Sequence, residues 1–104
     1  MKLKEVCFFP EIKDGFTKFS GDEKIKFTNY LRKGINIAFC PDAVEVFGEI
    51  VGDSSPCTDG VWQWPNFLAE CVVRLNWVVS TDFAAHARDN GWQVPPVNLE
   101  SIEL

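Results

Sequence analysis

The side chains able to do chemistry are few: one histidine and four cysteines. His86 follows Asp82 by one helical turn, a spacing that lets an imidazole and a carboxylate pair on one helix face. A nucleophile–base arrangement would also need a serine or cysteine beside His86, and no motif marks one. Cys7, Cys40, Cys57 and Cys71 stand 33, 17 and 14 residues apart, whereas structural zinc sites bring their ligands in close pairs. Gly48, Gly52 and Gly60 fit neither a dinucleotide fingerprint nor a phosphate-binding loop. Glu45 and Glu49 lie on one face of a predicted strand, and four residues of strand hold them about 13 Å apart, too far for a retaining glycosidase pair. These patterns predict no enzyme, no metal and no cofactor. Binding is the expected activity.

Charge indicates what would be bound. The chain has a net charge of −5, unevenly spread. Met1 to Lys33 carries eight basic and five acidic residues, while Gly34 to Leu104 carries two basic and ten acidic ones. From Gly34 to Val73 there is no Lys or Arg, and Asp42, Glu45, Glu49, Asp53, Asp59 and Glu70 fall in that window. Such a surface repels nucleic acid and anionic membrane and attracts basic partners. The candidate partner-binding residues are therefore Asp42, Glu45, Phe47, Glu49, Asp53, Ser54, Ser55 and Asp59, with Trp77 as the tryptophan expected to be most exposed. Asp59 has an alternative role: in a Thr-Asp-Gly turn it can hold the loop by an Asx-type hydrogen bond. Trp62, Trp64 and Trp92 are expected to anchor the core, because small domains rely on large aromatics.

The elements that must position these residues follow from pattern. Leu3–Phe9 is apolar and β-favouring, and Phe16–Phe19, after the Asp14-Gly15 turn, is a short candidate partner strand. Ser20 and Glu23 fit a capping box, and Lys33-Gly34 a stop, for a helix at about Gly21–Lys33. Ile35–Cys40 is a short apolar run. Ala43–Val51 alternates as one strand, Gly52–Gly60 reads as a nine-residue loop, and Val61–Trp64 is a strand with Trp62 and Trp64 on one side. Pro65 suits the first turn of a second helix, striped by Leu68, Cys71, Val72 and Leu75. Asn76–Val79 is expected to turn the chain, and Ser80 to cap a third helix ending near Gly91. The fold class is α+β: a small antiparallel sheet of about four strands with about three helices on one face. Residues 1–104 form one expected domain, with 97–104 as a mobile tail.

The start Met-Lys-Leu-Lys and the short run Val6–Phe9, ended by Pro10, do not make a signal peptide. The cysteines are accordingly expected as free thiols in a cytoplasmic protein, Cys40 and Cys71 lying in apolar stretches as small hydrophobes. No apolar run reaches the roughly 20 residues a membrane span requires.

The string Thr58-Asp59-Gly60-Val61-Trp62-Gln63-Trp64-Pro65, with Leu68 and then Val78 and Phe83, resembles a family of short bacterial proteins. Its members carry T-D-G-x-W-x-W-P-x-x-L, an aromatic helix and a Leu-Pro-x-x-Phe helix start. Ile25, Tyr30-Leu31 and Gly34 match that family's upstream helix loosely. Ser80-Thr81 stands in place of Leu-Pro, and Cys71-Val72 in place of a Tyr-Tyr pair. The resemblance covers about Glu23 to Trp92. It implies an immunity protein, an antidote to a delivered bacterial toxin such as those of contact-dependent growth inhibition, and it carries over no catalytic residue. Combined with the charge, it predicts a nuclease inhibitor: an acidic surface blocking the substrate site of a basic toxin domain, with a ribonuclease the favoured class. The alternative is an intracellular adaptor or regulatory subunit that binds a basic partner.

Overall fold

The computed structural model describes residues 2–102. In chain order the elements are β1 (Lys4–Glu5), β2 (Phe8–Phe9), β3 (Phe16–Thr17), α1 (Gly21–Arg32), β4 (Ile35–Asn36), β5 (Ala43–Val46), β6 (Glu49–Asp53), β7 (Pro56–Thr58), β8 (Trp62–Pro65), α2 (Leu68–Leu75), β9 (Val78–Ser80) and α3 (Thr81–Asp89). A 3₁₀ turn, Leu99–Ser101, follows. The fold is α+β: a four-stranded sheet, in the order β1-β8-β7-β4, with three helices against it. Two smaller sheets complete it, β2-β9-β3 and the hairpin β5-β6.

The four-stranded sheet is antiparallel except at one edge. β1 runs parallel to β8, pairing Lys4 with Trp62 and Glu5 with Gln63. Parallel neighbours need a long crossover, and the chain between them supplies one that includes α1. The single N-terminal strand expected over Leu3–Phe9 is in fact two: Lys4–Glu5 pairs with β8, and Phe8–Phe9 pairs with β9. Buried Leu3 and Val6 pin this segment between them. Phe16–Thr17 also pairs with β9 rather than with β2, so Pro10 interrupts no hairpin. Asn76–Val79 does more than turn the chain. Asn76 alone makes the turn in a left-handed conformation, and the buried pair Val78-Val79 enters the middle strand of the second sheet.

The helices follow their apolar patterns, but their ends differ from expectation. α1 buries Phe27, Thr28, Tyr30 and Leu31, the 3–4 spacing of a core-facing stripe. Ser20 occupies its N-cap position without a side-chain cap bond, and Glu23 faces Arg88 of α3 at 3.4 Å instead of reaching back. Ser80 likewise makes no side-chain cap on α3. α2 begins at Leu68 rather than at Pro65, because Pro65 is still paired with Pro56 in the sheet. The N–H groups of Asn66 and Phe67 donate to Ser55 O and Asp53 O, which spends the expected first helical turn on tying β8 to the β6–β7 link. No helix among the described residues is long and apolar enough to cross a membrane.

Between helices and sheet lies an aromatic core centred on Phe83. Its ring packs on Phe27, Tyr30, Trp62 and Trp64 at centroid distances of 5.7, 6.3, 5.5 and 5.3 Å. Trp62 and Trp64 therefore do point to one side of their strand. The Trp64 indole N–H donates to Leu31 O at 3.2 Å, satisfying one of the carbonyls that the end of α1 leaves without a helical partner. Gly34 is read from sequence as a helix stop, and the packing gives it a second role. A β-carbon there would stand 2.4 Å from Trp64 Cζ2 and 3.1 Å from Cys57 Cβ.

Of the expected tail, Val97 lies against Gly60, and the Asn98 side chain accepts from the N–H of Glu100 at 3.1 Å. Glu103 and Leu104 lie outside the described residues.

The Gly34 contact yields the first prediction. Gly34→Ala forces the buried indole off its place, and urea denaturation should show a loss of about 1–3 kcal/mol, the usual cost of overpacking a core. An unchanged denaturation midpoint would mean that Trp64 is not held where the packing puts it.

Candidate partner-binding surface and the buried polar network behind it

The acidic window does not fold as one strand and one loop. Phe47 and Gly48 have φ of 51° and 79°, and Val46 pairs with Glu49 across them. Two consecutive positive φ values in a two-residue connection make a type I′ turn. The expected strand Ala43–Val51 is therefore a hairpin, and the expected loop Gly52–Gly60 contains the end of β6 and all of β7. Glu45 and Glu49 do not share one strand face. They sit on opposite strands near the turn, Glu45 paired with Ile50 and Glu49 with Val46.

The register of the turn sets which side chains the hairpin shows, and a bulge follows it. The register shifts between Val44 and Glu45, so that Val44 pairs with Gly52 and Glu45 with Ile50, leaving Val51 as the extra residue. Ile50 shares the side of its partner Glu45 and is 67 % exposed, while Val51 faces the other way and is buried; Phe47 at the tip is 85 % exposed. Three contacts hold the hairpin on the body, one beside its tip and two at its base. Arg74 of α2 pairs with Glu49. The Phe67 N–H donates to Asp53 O at 3.0 Å. Gly52, at φ 140°, packs so closely that a β-carbon would come within 3.2 Å of the Phe67 backbone.

The nine candidate residues part accordingly. Asp42, Glu45, Phe47 and Ser54 are exposed. Neither Asp42 nor Glu45 has an ion-pair partner among the described residues. Glu49 is exposed but held by Arg74. Asp53 is half-buried and accepts from the N–H of Ser55 at 3.0 Å. Ser55 is buried: its Oγ accepts from Cys40 N at 2.9 Å and donates to Cys40 O at 3.3 Å. It braces a loop and does not face a partner. Trp77 is half-buried with its ring stacked on Phe8 at 5.8 Å, so it is not a free aromatic anchor. Sequence reasoning missed Ile50, within the expected alternating strand, and Phe39, 80 % exposed and within the short apolar run Ile35–Cys40. A bulge and an unpaired segment leave no mark in hydrophobic periodicity.

Asp59 is the clearest correction. It is buried, and its Oδ1 accepts from the N–H groups of Val61 and Trp62 at 3.0 and 2.8 Å. This is the Asx-type role, the alternative left open by the sequence. Thr58, also buried, completes the turn: its hydroxyl donates to Trp62 O at 2.7 Å and accepts from Gly60 N at 2.9 Å. The Thr-Asp-Gly-x-Trp string is thus a closed hydrogen-bonded turn. The other carboxylate oxygen, Oδ2, accepts from the Tyr30 hydroxyl of α1 at 2.5 Å and lies 3.1 Å from His86 Nε2 of α3. Asn90 donates to the Tyr30 oxygen at 3.0 Å. His86 therefore pairs with Asp59 rather than with Asp82, and at 26 % side-chain exposure it is partly covered. Burial first, and then the hydrogen bond to Asp59, pushes the Tyr30 phenol well above its ordinary value, so Tyr30 stays a donor throughout the neutral range. The hydrogen-bond partners of His86 are Asp59 and Asn90.

The four cysteines are free; Cys57 and Cys71 are buried, Cys7 and Cys40 exposed. Cys40 is not the buried small hydrophobe expected. Burial raises the Cys57 thiol, and burial followed by Glu70 raises Cys71 to about 11, so neither is an activated nucleophile. Among the described residues no cluster of His, Cys, Asp or Glu could hold a metal ion. A shallow cleft of about 510 Å³ on the sheet is lined by Leu3, Ile37, Ala38, Pro56 and Gln63, with Lys2 and Glu5 as its titratable groups.

Compared with protein-family models, curated proteins and solved structures, the chain matches none.

Two predictions follow from the Asp59 network. Asp59→Ala strands two backbone N–H groups, the Tyr30 hydroxyl and His86, and should lower stability by about 3–5 kcal/mol in urea denaturation, as removal of one buried charged partner does. A loss below about 1 kcal/mol would show that the turn closes without it. Tyr30 supplies the second. Its pKa is raised on folding, so its contribution is intact below the unfolded value near 10 and fades as pH rises above it. Stability should fall as pH rises above about 10 toward the raised folded value, and Tyr30→Phe should make that fall shallower. An identical slope in the variant would exclude Tyr30 as a source.

Proposed function

We propose that this chain is an immunity-type protein that binds and neutralises a basic toxin domain, with a ribonuclease the favoured class, by laying an acidic surface over the substrate-binding site. The observation that carries the reading is the β5–β6 hairpin and its approach, where Asp42 and Glu45 are exposed and have no ion-pair partner among the described residues. Only two basic residues follow Lys33 in the sequence: Arg74 pairs with Glu49 of the hairpin and with Glu70, and Arg88 with Glu23, leaving Asp42 and Glu45 unpaired. An unneutralised carboxylate surface speeds encounter with a basic protein and presents acceptors to Lys and Arg side chains that otherwise hold phosphates. The resemblance of Thr58–Pro65 to immunity proteins points the same way. The structural role of Thr58 and Asp59 accounts for that string as part of the scaffold, leaving the contact surface free to differ. A cytoplasmic location suits the role, since a delivered toxin acts there.

The test is co-purification with the product of the preceding reading frame and rescue of cells from its toxicity. Asp42→Lys together with Glu45→Lys should weaken toxin binding at least about tenfold, mainly by slowing association and flattening its salt dependence. Lys2→Glu with Lys4→Glu should leave binding within about twofold. If the lysines proved decisive and the hairpin acids inert, the acidic-surface mechanism would be lost. Binding without rescue would favour the adaptor.

A further inference from the structure

Phe47 combines two costs that a hairpin tip need not carry. It holds a left-handed backbone at φ 51°, unfavourable for a bulky L-residue. Its ring is 85 % exposed, although an aromatic gains most when buried. Asparagine followed by glycine fills this turn type most readily, and Gly48 already supplies the second position. Strain kept at an exposed position, on a rigid support, is a pointer to function. The support here is rigid: Val51 is buried beneath the hairpin, Gly52 is pressed on Phe67, and Arg74 ties Glu49 to α2.

We propose that Phe47 is the apolar anchor of the partner interface, entering a concave apolar pocket whose rim carries Lys or Arg. The proposal rests on the binding reading above and specifies how that surface engages. A two-residue tip is convex, so its complement is a pocket rather than a flat face. The charge of the rim follows from Glu45, which precedes the tip and stays unpaired, and from Asp42 further along the same strand approach. Ile50, opposite Glu45 in the register and 67 % exposed, extends the apolar contact along the hairpin. An aromatic side chain centred in a desolvated pocket with charges around it is the arrangement of an interface hot spot.

The experiment uses the full chain and, as its probe, the catalytically disabled C-terminal domain of the protein encoded by the preceding reading frame. Phe47→Asn should raise the melting temperature by roughly 4–8 °C, through relief of the left-handed strain. The same variant should weaken binding by about thirtyfold or more, mostly through faster dissociation. Phe47→Leu, which keeps an apolar group, should retain more affinity than Phe47→Asn. A melting temperature that falls in Phe47→Asn would mean that the fold itself holds the ring, and would overturn the proposal. Binding unchanged in Phe47→Asn but lost on Glu45→Lys would remove the anchor and leave the acidic-surface reading standing. No binding by the unaltered chain would remove that reading, and the anchor with it. Concentration-dependent self-association in analytical ultracentrifugation, abolished by Phe47→Asn, would assign the ring to a second copy of this chain and overturn the pocket.

Discussion

The carboxylate of Asp59 ties the β7–β8 turn to α1 and α3 at one buried point. One oxygen closes the turn between β7 and β8 through two backbone N–H groups, and the other receives the Tyr30 hydroxyl and faces His86. A buried carboxylate is costly unless every lone pair is engaged. Once engaged, it becomes a constraint with little slack, because any shift of α1 or α3 against the turn would leave an acceptor unmet. The register of β7 on β8 follows from that turn, and so does the direction in which Trp62 and Trp64 enter the core. Phe83 then fills the space that those two indoles, Phe27 and Tyr30 leave between sheet and helices.

The hairpin depends on this body without belonging to its core. β6 leaves the surface through Val51 and returns through Asp53, whose carbonyl accepts from the start of the α2 segment. The ion pair of Arg74 with Glu49 is solvent-exposed and adds little stability. Its effect is to fix direction, holding the strand end over α2. What lies beyond that contact is the strained Phe47-Gly48 tip, and the strands behind it show acidic and apolar side chains. Recognition commonly sits on such a segment, carried by a scaffold that does not move with it.

The division of charge acquires a spatial meaning from the helices. The basic residues of α1 are partly used against the acidic C-terminal part, Arg32 with Glu70 and Lys24 with the Asn76 side chain. Glu23 of the same helix faces Arg88 of α3. These contacts pair off charge where helices meet and leave Asp42 and Glu45 without an ion-pair partner among the described residues. Net charge alone, at −5, would not distinguish this from an evenly acidic surface.

Local pattern was sufficient for α1, α2 and α3, because an apolar stripe at helical spacing is a property of the segment itself. It was sufficient for β8, where Trp62 and Trp64 alternate, and for the cation-free window, which is composition. The α+β class follows from the same elements. Pattern failed where pairing partners decide the outcome. Val78 and Val79 are β-favouring, but only β2 and β3 on either side make them a central strand. Leu3–Phe9 reads as one strand because nothing local says that its two halves pair with different sheets. The Phe47-Gly48 turn is hidden because Phe is a poor residue for it, and the bulge at Val51 because one extra residue looks like continued alternation. For Asp59 the sequence left two roles open, contact residue or turn brace. Burial beside Tyr30 and His86, which lie 29 residues before it and 27 after, decided between them, since only the folded chain brings those donors to one carboxylate.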